Sequence, residues 1–151
     1  ASDNRFSSKQ GFVPFAIETG EAEVFYGFPE LDERGVKVAQ HTGGEPVLNP
    51  LELDGVLRPS DLAPVVRFAA DYLPGVSSHC LAHEACMYTR SPDEHFIIDG
   101  HADFPGLTFA AGLSGHGFKF VPVLGEALAE LALDEGTELP IGFLSAARFV
   151  G

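Results

Sequence analysis

Residues 107–133 read LTFAAGLSGHGFKFVPVLGEALAELAL. An apolar run, a loop with glycines at 112, 115 and 117, and an apolar repeat at helical spacing follow one another directly. This order predicts a strand at 107–111, a glycine turn, and a helix running to about Leu133. Val121, Leu124, Leu128, Leu131 and Ala132 form its apolar stripe. The glycines let backbone approach a ligand closely. The following helix start and Lys119 favour an anion or a developing negative charge. An ordinary strand–helix turn explains the same residues.

A strand–GxSGHG–helix unit is how a nucleotide- or cofactor-binding half finishes. The opening half, a strand leading into a glycine-rich phosphate loop, has no counterpart in these 151 residues.

Upstream, 12–18 (FVPFAIE) and 23–28 (EVFYGF) predict two strands joined by the turn Thr19-Gly20-Glu21. A third, 35–41 (GVKVAQH), follows the turn LDERG. Alternation puts Lys37 and His41 on one face of it, roughly 13 Å apart, with Val36 and Val38 on the other. Glycines and prolines mark 43–59 as irregular. Ser60 reads as the N-cap of a helix over 61–73, with Pro64 in its first turn. Leu62, Val65, Val66, Ala69 and Leu73 share one face, and Pro74-Gly75 stops the helix. Residues 78–90 and 95–99 predict further strands, and 141–149 an apolar tail that packs. The fold class is α+β with mostly antiparallel strands.

Formal net charge is −13, from 22 acidic against nine basic residues. Both nucleic acid and an anionic membrane would be repelled. No apolar run approaches the ~18–20 residues that span a bilayer. The start, ASDNRFSSKQ, lacks the apolar region of a signal peptide. With only two cysteines, the expected location is the reducing cytoplasm.

Residues 79–99 (HCLAHEACMYTRSPDEHFIID) hold both cysteines and three of the six histidines. On a strand, His79 and His83 would face away from Cys80 and Cys86, so the four could not share a metal. A Cys80–Cys86 disulfide would have to span about 20 Å of strand, against a limit of about 7 Å. Cys80 then reads as a buried, inert cysteine. By default Lys37 is a solvated edge lysine, His41 a satisfied histidine and Tyr26 a core aromatic. Asp93-Glu94 caps or solvates a turn.

Taken together, YGFP…KVAQHT (26–42), CMYTRSPDEHFIID (86–99) and FAAGLSGHGFKFVPVLGEALAELAL (109–133) resemble the monomeric sarcosine oxidase and N-methyltryptophan oxidase family. These are FAD-dependent amine oxidases, and the likeness is weakest over 43–80. The resemblance implies that the chain is the C-terminal two-fifths of such an enzyme. Residues 1–90 would belong to an antiparallel-sheet substrate domain. Residues 91–151 would complete the FAD-binding, Rossmann-type domain whose N-terminal half is absent. That absent half is the implied partner, holding most of the ADP moiety and a carboxylate-binding arginine.

By motif, Cys86 matches the cysteine that carries FAD through a thioether to the flavin 8-methyl group. Lys37 matches a lysine over the flavin face that promotes O₂ reduction, and Lys119 one that binds the substrate carboxylate. Gly115, His116, Gly117 and Phe118 match the loop against the flavin pyrimidine end. Tyr26 and His41 match residues lining the substrate cavity, while Phe28 and Pro29 are given only packing. The implied reaction oxidises sarcosine or a related secondary amine with O₂ to an aldehyde, a primary amine and H₂O₂. The alternative is a catalytically inactive fragment, or one half of a split oxidase acting as an interaction module.

Overall fold

A computed structural model describes residues 4–20, 22–30, 32–133 and 136–150. Glu21 of the first predicted turn and Leu31 of the second lie outside the described residues. The chain divides into two compact units, residues 1–86 and 87–151.

The first unit is a three-stranded antiparallel sheet in the order β1 (Phe15–Glu18), β2 (Val24–Phe28), β3 (Lys37–Gln40), with one helix, α1 (Pro59–Tyr72). All three strands fall inside the predicted runs. Phe25, Phe15, Ile17 and Val38 lie on one face and pack with Phe68 and Leu73 of the helical segment. Phe25 is 1% exposed, and its ring stacks on Phe68 at 4.3 Å between centroids. A side chain at Gly27 would meet the Phe15 ring at 2.6 Å, so that position must be bare.

Helix α1 departs from the sequence reading in three ways. Its N-cap is Arg58, not Ser60, because Pro59 takes the first helical position, where its missing N–H costs nothing. The Asp61 carboxylate accepts the Arg58 backbone N–H at 2.9 Å. Pro64 therefore sits in the second turn and removes a bond to the Ser60 carbonyl. The buried stripe runs through Phe68, Ala69 and Leu73, and it includes Phe68, which the predicted face left out.

Residues 78–90 do not form the predicted strand. They run irregular and mostly exposed, and a single bridge ties Arg90 to Leu113. A strand needs a neighbour to take its backbone hydrogen bonds, and among the described residues only Thr89 and Arg90 have one, in Ser114 and Leu113. The alternation used against zinc and against a disulfide therefore does not exist here. Both cysteines are nevertheless free, Cys80 half-buried and Cys86 exposed. No group of three or more His, Cys, Asp or Glu is placed to hold a metal among the described residues.

The second unit pairs β4 (Ile97–Gly100) with β5 (Thr108–Ala111) and packs α2 (Val121–Ala132) on them. Phe96, Ile98, Leu124 and Leu144 form its core, with Leu113, Leu128, Leu131 and Ile141 around it. Two positions on α2 correct the predicted stripe. Val121 is exposed, because the helix meets the sheet only from Leu124 onward, and Ala127 is fully buried. The α+β class stands, and no helix among the described residues is long and apolar enough to cross a membrane.

Two carboxylates pin the tail to this unit. Asp99 accepts the Ser145 hydroxyl and the Ala146 N–H, each at 2.8 Å. Asp93 accepts two Arg148 guanidinium N–H groups at 2.7 and 3.1 Å. Arg148 donation holds the Asp93 carboxyl well below the usual carboxylate range. Burial works against charged Asp99, but donation from Ser145, Ala146 and Gly100 outweighs it and holds that carboxyl low as well. A depressed folded value means stabilisation that is complete above the unfolded pKa of about 4 and is lost as pH falls through the folded values. The melting temperature of this unit is therefore expected to fall as pH is lowered from about 5 to about 2. Asp99→Asn should lower it at pH 7 and flatten the acid limb. Thermal melts followed by circular dichroism across pH check this, and an unchanged acid limb in Asp99→Asn would remove the assignment.

Candidate functional site

In the first unit, three of the side chains singled out in the sequence gather on the sheet face opposite the core. Phe28 stands directly across from Lys37, and Tyr26 across from Ala39. Paired residues share a face, so Tyr26, Phe28, Lys37 and Ala39 all point away from Phe25 and Val38. The His41 backbone N–H bonds the Val24 carbonyl at 2.7 Å, which continues the register and puts His41 on the same side. The rings confirm it: Tyr26 and His41 meet edge to face at 6.3 Å, and Tyr26 and Phe28 at 6.2 Å. The Lys37 ammonium lies 5.6 Å from the Tyr26 ring centre and 5.5 Å from that of Phe28. Three of the residues expected from the sequence, Tyr26, Lys37 and His41, are thus brought together, and Phe28 joins them.

In the second unit the glycine loop forms one wall of an open cleft of about 460 Å³. Residues 110–115 line one side, and Met87, Tyr88 and Thr89 line the other. The two walls are stitched by the Ser114 N–H, which donates to the Thr89 carbonyl at 3.0 Å. The loop is tightly wound. Gly112, Ser114 and Gly115 have φ of +58°, +49° and +79°, in the left-handed region. A side-chain carbon at Gly115 would lie 2.8 Å from the Tyr88 ring, and one at Gly117 would lie 2.7 Å from Leu113. The Gly115 and Gly117 N–H groups have no acceptor among the described residues.

Of the loop residues expected to hold a cofactor, Gly115 lines the cleft and the others follow it in the chain. His116 rests its ring on Phe96 at 4.8 Å. Phe118 is 92% exposed. Lys119 lies in a single 3₁₀ turn, Phe118–Phe120, with its ammonium 5.4 Å from the Phe120 ring centre. That turn separates the loop from α2, so the helix start expected at the loop lies instead at Val121.

Tyr88 escaped the sequence reading as a site residue, although the motif CMYT contains it. Its contact with Gly115 crosses 27 residues, and only a tertiary structure reveals it. Cys86 is exposed and immediately precedes the Met87–Thr89 wall.

A planar, acceptor-bearing ring edge fits this loop. Its glycine backbone is bare, two N–H donors are unsatisfied, and a free thiol stands one residue from the cleft wall. The FAD dependent oxidoreductase family profile matches residues 5–131. Monomeric sarcosine oxidase of Arthrobacter sp. (strain TE1826) is 36% identical over 97% of this chain and 38% of its own length. N-methyl-L-tryptophan oxidase of Salmonella dublin is 39% identical over 98% of this chain and 40% of its own. The chain thus spans about two-fifths of the length of these curated relatives. A solved structure of NikD, "an unusual amino acid oxidase essential for nikkomycin biosynthesis", shares the fold. Its TM-score is 0.60 at 24% identity, over 85% of this chain and 35% of that one. The chain belongs to the FAD-dependent oxidoreductase family.

Proposed function

We propose that this chain is part of a flavin-dependent amine oxidase acting on sarcosine or a related N-methyl amino acid. The overall reaction takes the secondary amine, O₂ and water to an aldehyde, a primary amine and H₂O₂. Residues 1–90 serve in the substrate domain and 91–151 in the FAD-binding domain, with further sequence holding the ADP moiety. One observation carries the reading: the segment just after Cys86 and the glycine loop face each other across one cleft, joined by Tyr88 on Gly115. The names of the relatives support the substrate class.

The chemistry FAD would supply when bound is acceptance of a hydride from the carbon next to nitrogen and transfer of the electrons to O₂. The protein does the rest. The Gly115 and Gly117 N–H groups would be the donors that hold the ring edge. Cys86 Sγ would anchor the ring, its S–H and a ring-methyl C–H giving way to a C–S bond as two electrons pass by way of the flavin to O₂. Lys119 pairs with the substrate carboxylate, and Tyr26 and His41 wall the substrate cavity. Lys37 holds a fixed positive charge where negative charge develops on O₂, which is worth most in a site that excludes water.

The complete polypeptide should be purified yellow and release H₂O₂ with N-methyl amino acids. A colourless product with no flavin in its mass spectrum would leave only an interaction module. Lys37→Met is expected to slow reoxidation of the reduced protein by O₂ about 10²–10³-fold. Anaerobic reduction by substrate should change by only a few fold. Stopped-flow absorbance separates the two half-reactions, and equal effects on both would remove Lys37 from the oxygen step.

A further inference from the structure

We infer that Phe28 is a positioning residue that, with Tyr26, holds the Lys37 ammonium in place without cancelling its charge. The inference rests on the oxidase reading of Lys37.

The chain has 22 carboxylates and three lysines, Lys9, Lys37 and Lys119. Against that background an unpaired lysine stands out. Among the described residues every ion pair uses an arginine, and none of their carboxylates pairs with Lys37. Its ammonium instead sits 5.5 Å from the Phe28 ring centre and 5.6 Å from that of Tyr26. The two rings stand at 88° to one another, so together they form a corner. Phe28 is directly opposite Lys37 in the sheet, and Ala39 beside it on the same face leaves room for the long side chain.

A carboxylate would hold Lys37 as well as the rings do, but it would also neutralise it. An aromatic face attracts a cation through its quadrupole and leaves the net charge at +1. A charge that must act on developing negative charge nearby therefore needs this kind of holder. The alternative explanation of Phe28, core packing, does not fit. The ring is 38% exposed and lies on the face away from Phe25 and Phe68. Lysine has a flexible four-carbon stem, so loss of the corner would let the ammonium wander.

Two experiments test the placement and its consequence. With ¹³C-labelled lysine in the 151-residue protein, the Lys37 ε-methylene protons should be shifted upfield of those of Lys9 by ring currents. Because the two rings are nearly equidistant, Phe28→Leu should remove about half of that shift, and Phe28→Tyr should keep it. An unshifted Lys37, or one that Phe28→Leu leaves alone, overturns the inference whatever the flavin chemistry does.

In the complete flavoprotein, Phe28→Leu should slow reoxidation by O₂ about three- to thirtyfold, with reduction by substrate within about twofold of the parent. Phe28→Tyr should restore the parent rate. The double variant Phe28→Leu/Lys37→Met should be no slower than Lys37→Met alone. Additive losses, or equal slowing of both half-reactions, would overturn the positioning role. If Lys37→Met alone left reoxidation unchanged, the oxygen-step reading would fall, while the spectra would still decide the placement.

Discussion

Cys86→Ala in the complete flavoprotein is expected to release all of its flavin on acid precipitation, whereas the parent keeps it in the pellet. Cys80→Ala should behave as the parent. The two thiols differ in place as well as in motif. Cys80 is half-buried and directs its thiol at the Ala82 carbonyl, 3.1 Å away. Cys86 is exposed and one residue from Met87, which lines the cleft beside the glycine loop. A thioether needs a sulfur close to the ring, and Cys86 is the more exposed of the two and adjoins the cleft wall. Nor does Cys86 have a competing partner, being free of any disulfide. The measurement is the flavin-to-protein ratio in the denatured pellet, with the mass of the flavinylated peptide as a check. Covalent flavin surviving in Cys86→Ala would overturn the anchor and move the search to another nucleophile.

The face on which Lys37 and His41 lie was legible because side-chain alternation in a strand depends on nothing beyond the strand itself. The glycine loop was legible for a similar reason, since left-handed φ at Gly112 and Gly115 is a local demand. What stayed hidden depends on partners. Residues 78–90 alternate like a strand, but among the described residues only Thr89 and Arg90 find a neighbour, and pattern cannot supply one for the rest. Tyr88 acquires its place only when the chain returns 27 residues later to lay Gly115 against it. Phe68 was missed because Leu62 and Val65 anchored the predicted stripe, while the sheet offers Phe25 to a face turned toward Phe68. Ala127 carries little hydrophobic weight, yet close approach of helix to sheet puts it at the centre.

Strand β2 separates stability from chemistry by parity, and this gives the largest expected loss of stability. Phe25→Ala should destabilise the first unit by about 3–5 kcal/mol. The ring is 1% exposed and stacked on Phe68, which itself stacks on Tyr72 at 4.9 Å and on Phe15 at 6.1 Å. Removing it opens a cavity against the Phe68 ring, which is itself held by its stacking on Tyr72 and Phe15. Stacking adds about 0.5–1.5 kcal/mol to the transfer loss. For a domain at the low end of the typical stability range, about 5 kcal/mol, such a loss leaves about 0–2 kcal/mol, enough to unfold a measurable fraction of the molecules. Phe28→Ala, three residues along on the other face, should cost about 1 kcal/mol or less, since its ring already meets solvent. Urea unfolding of both variants reads the contrast directly. A loss below about 1 kcal/mol for Phe25→Ala would mean that the aromatic stack does not hold this sheet to its helix. The parity also fixes what substitutions can achieve. A change at residues 25, 27 or 38 reaches Lys37 only by moving the strands, whereas a change at 26 or 28 alters its surroundings while leaving the core in place.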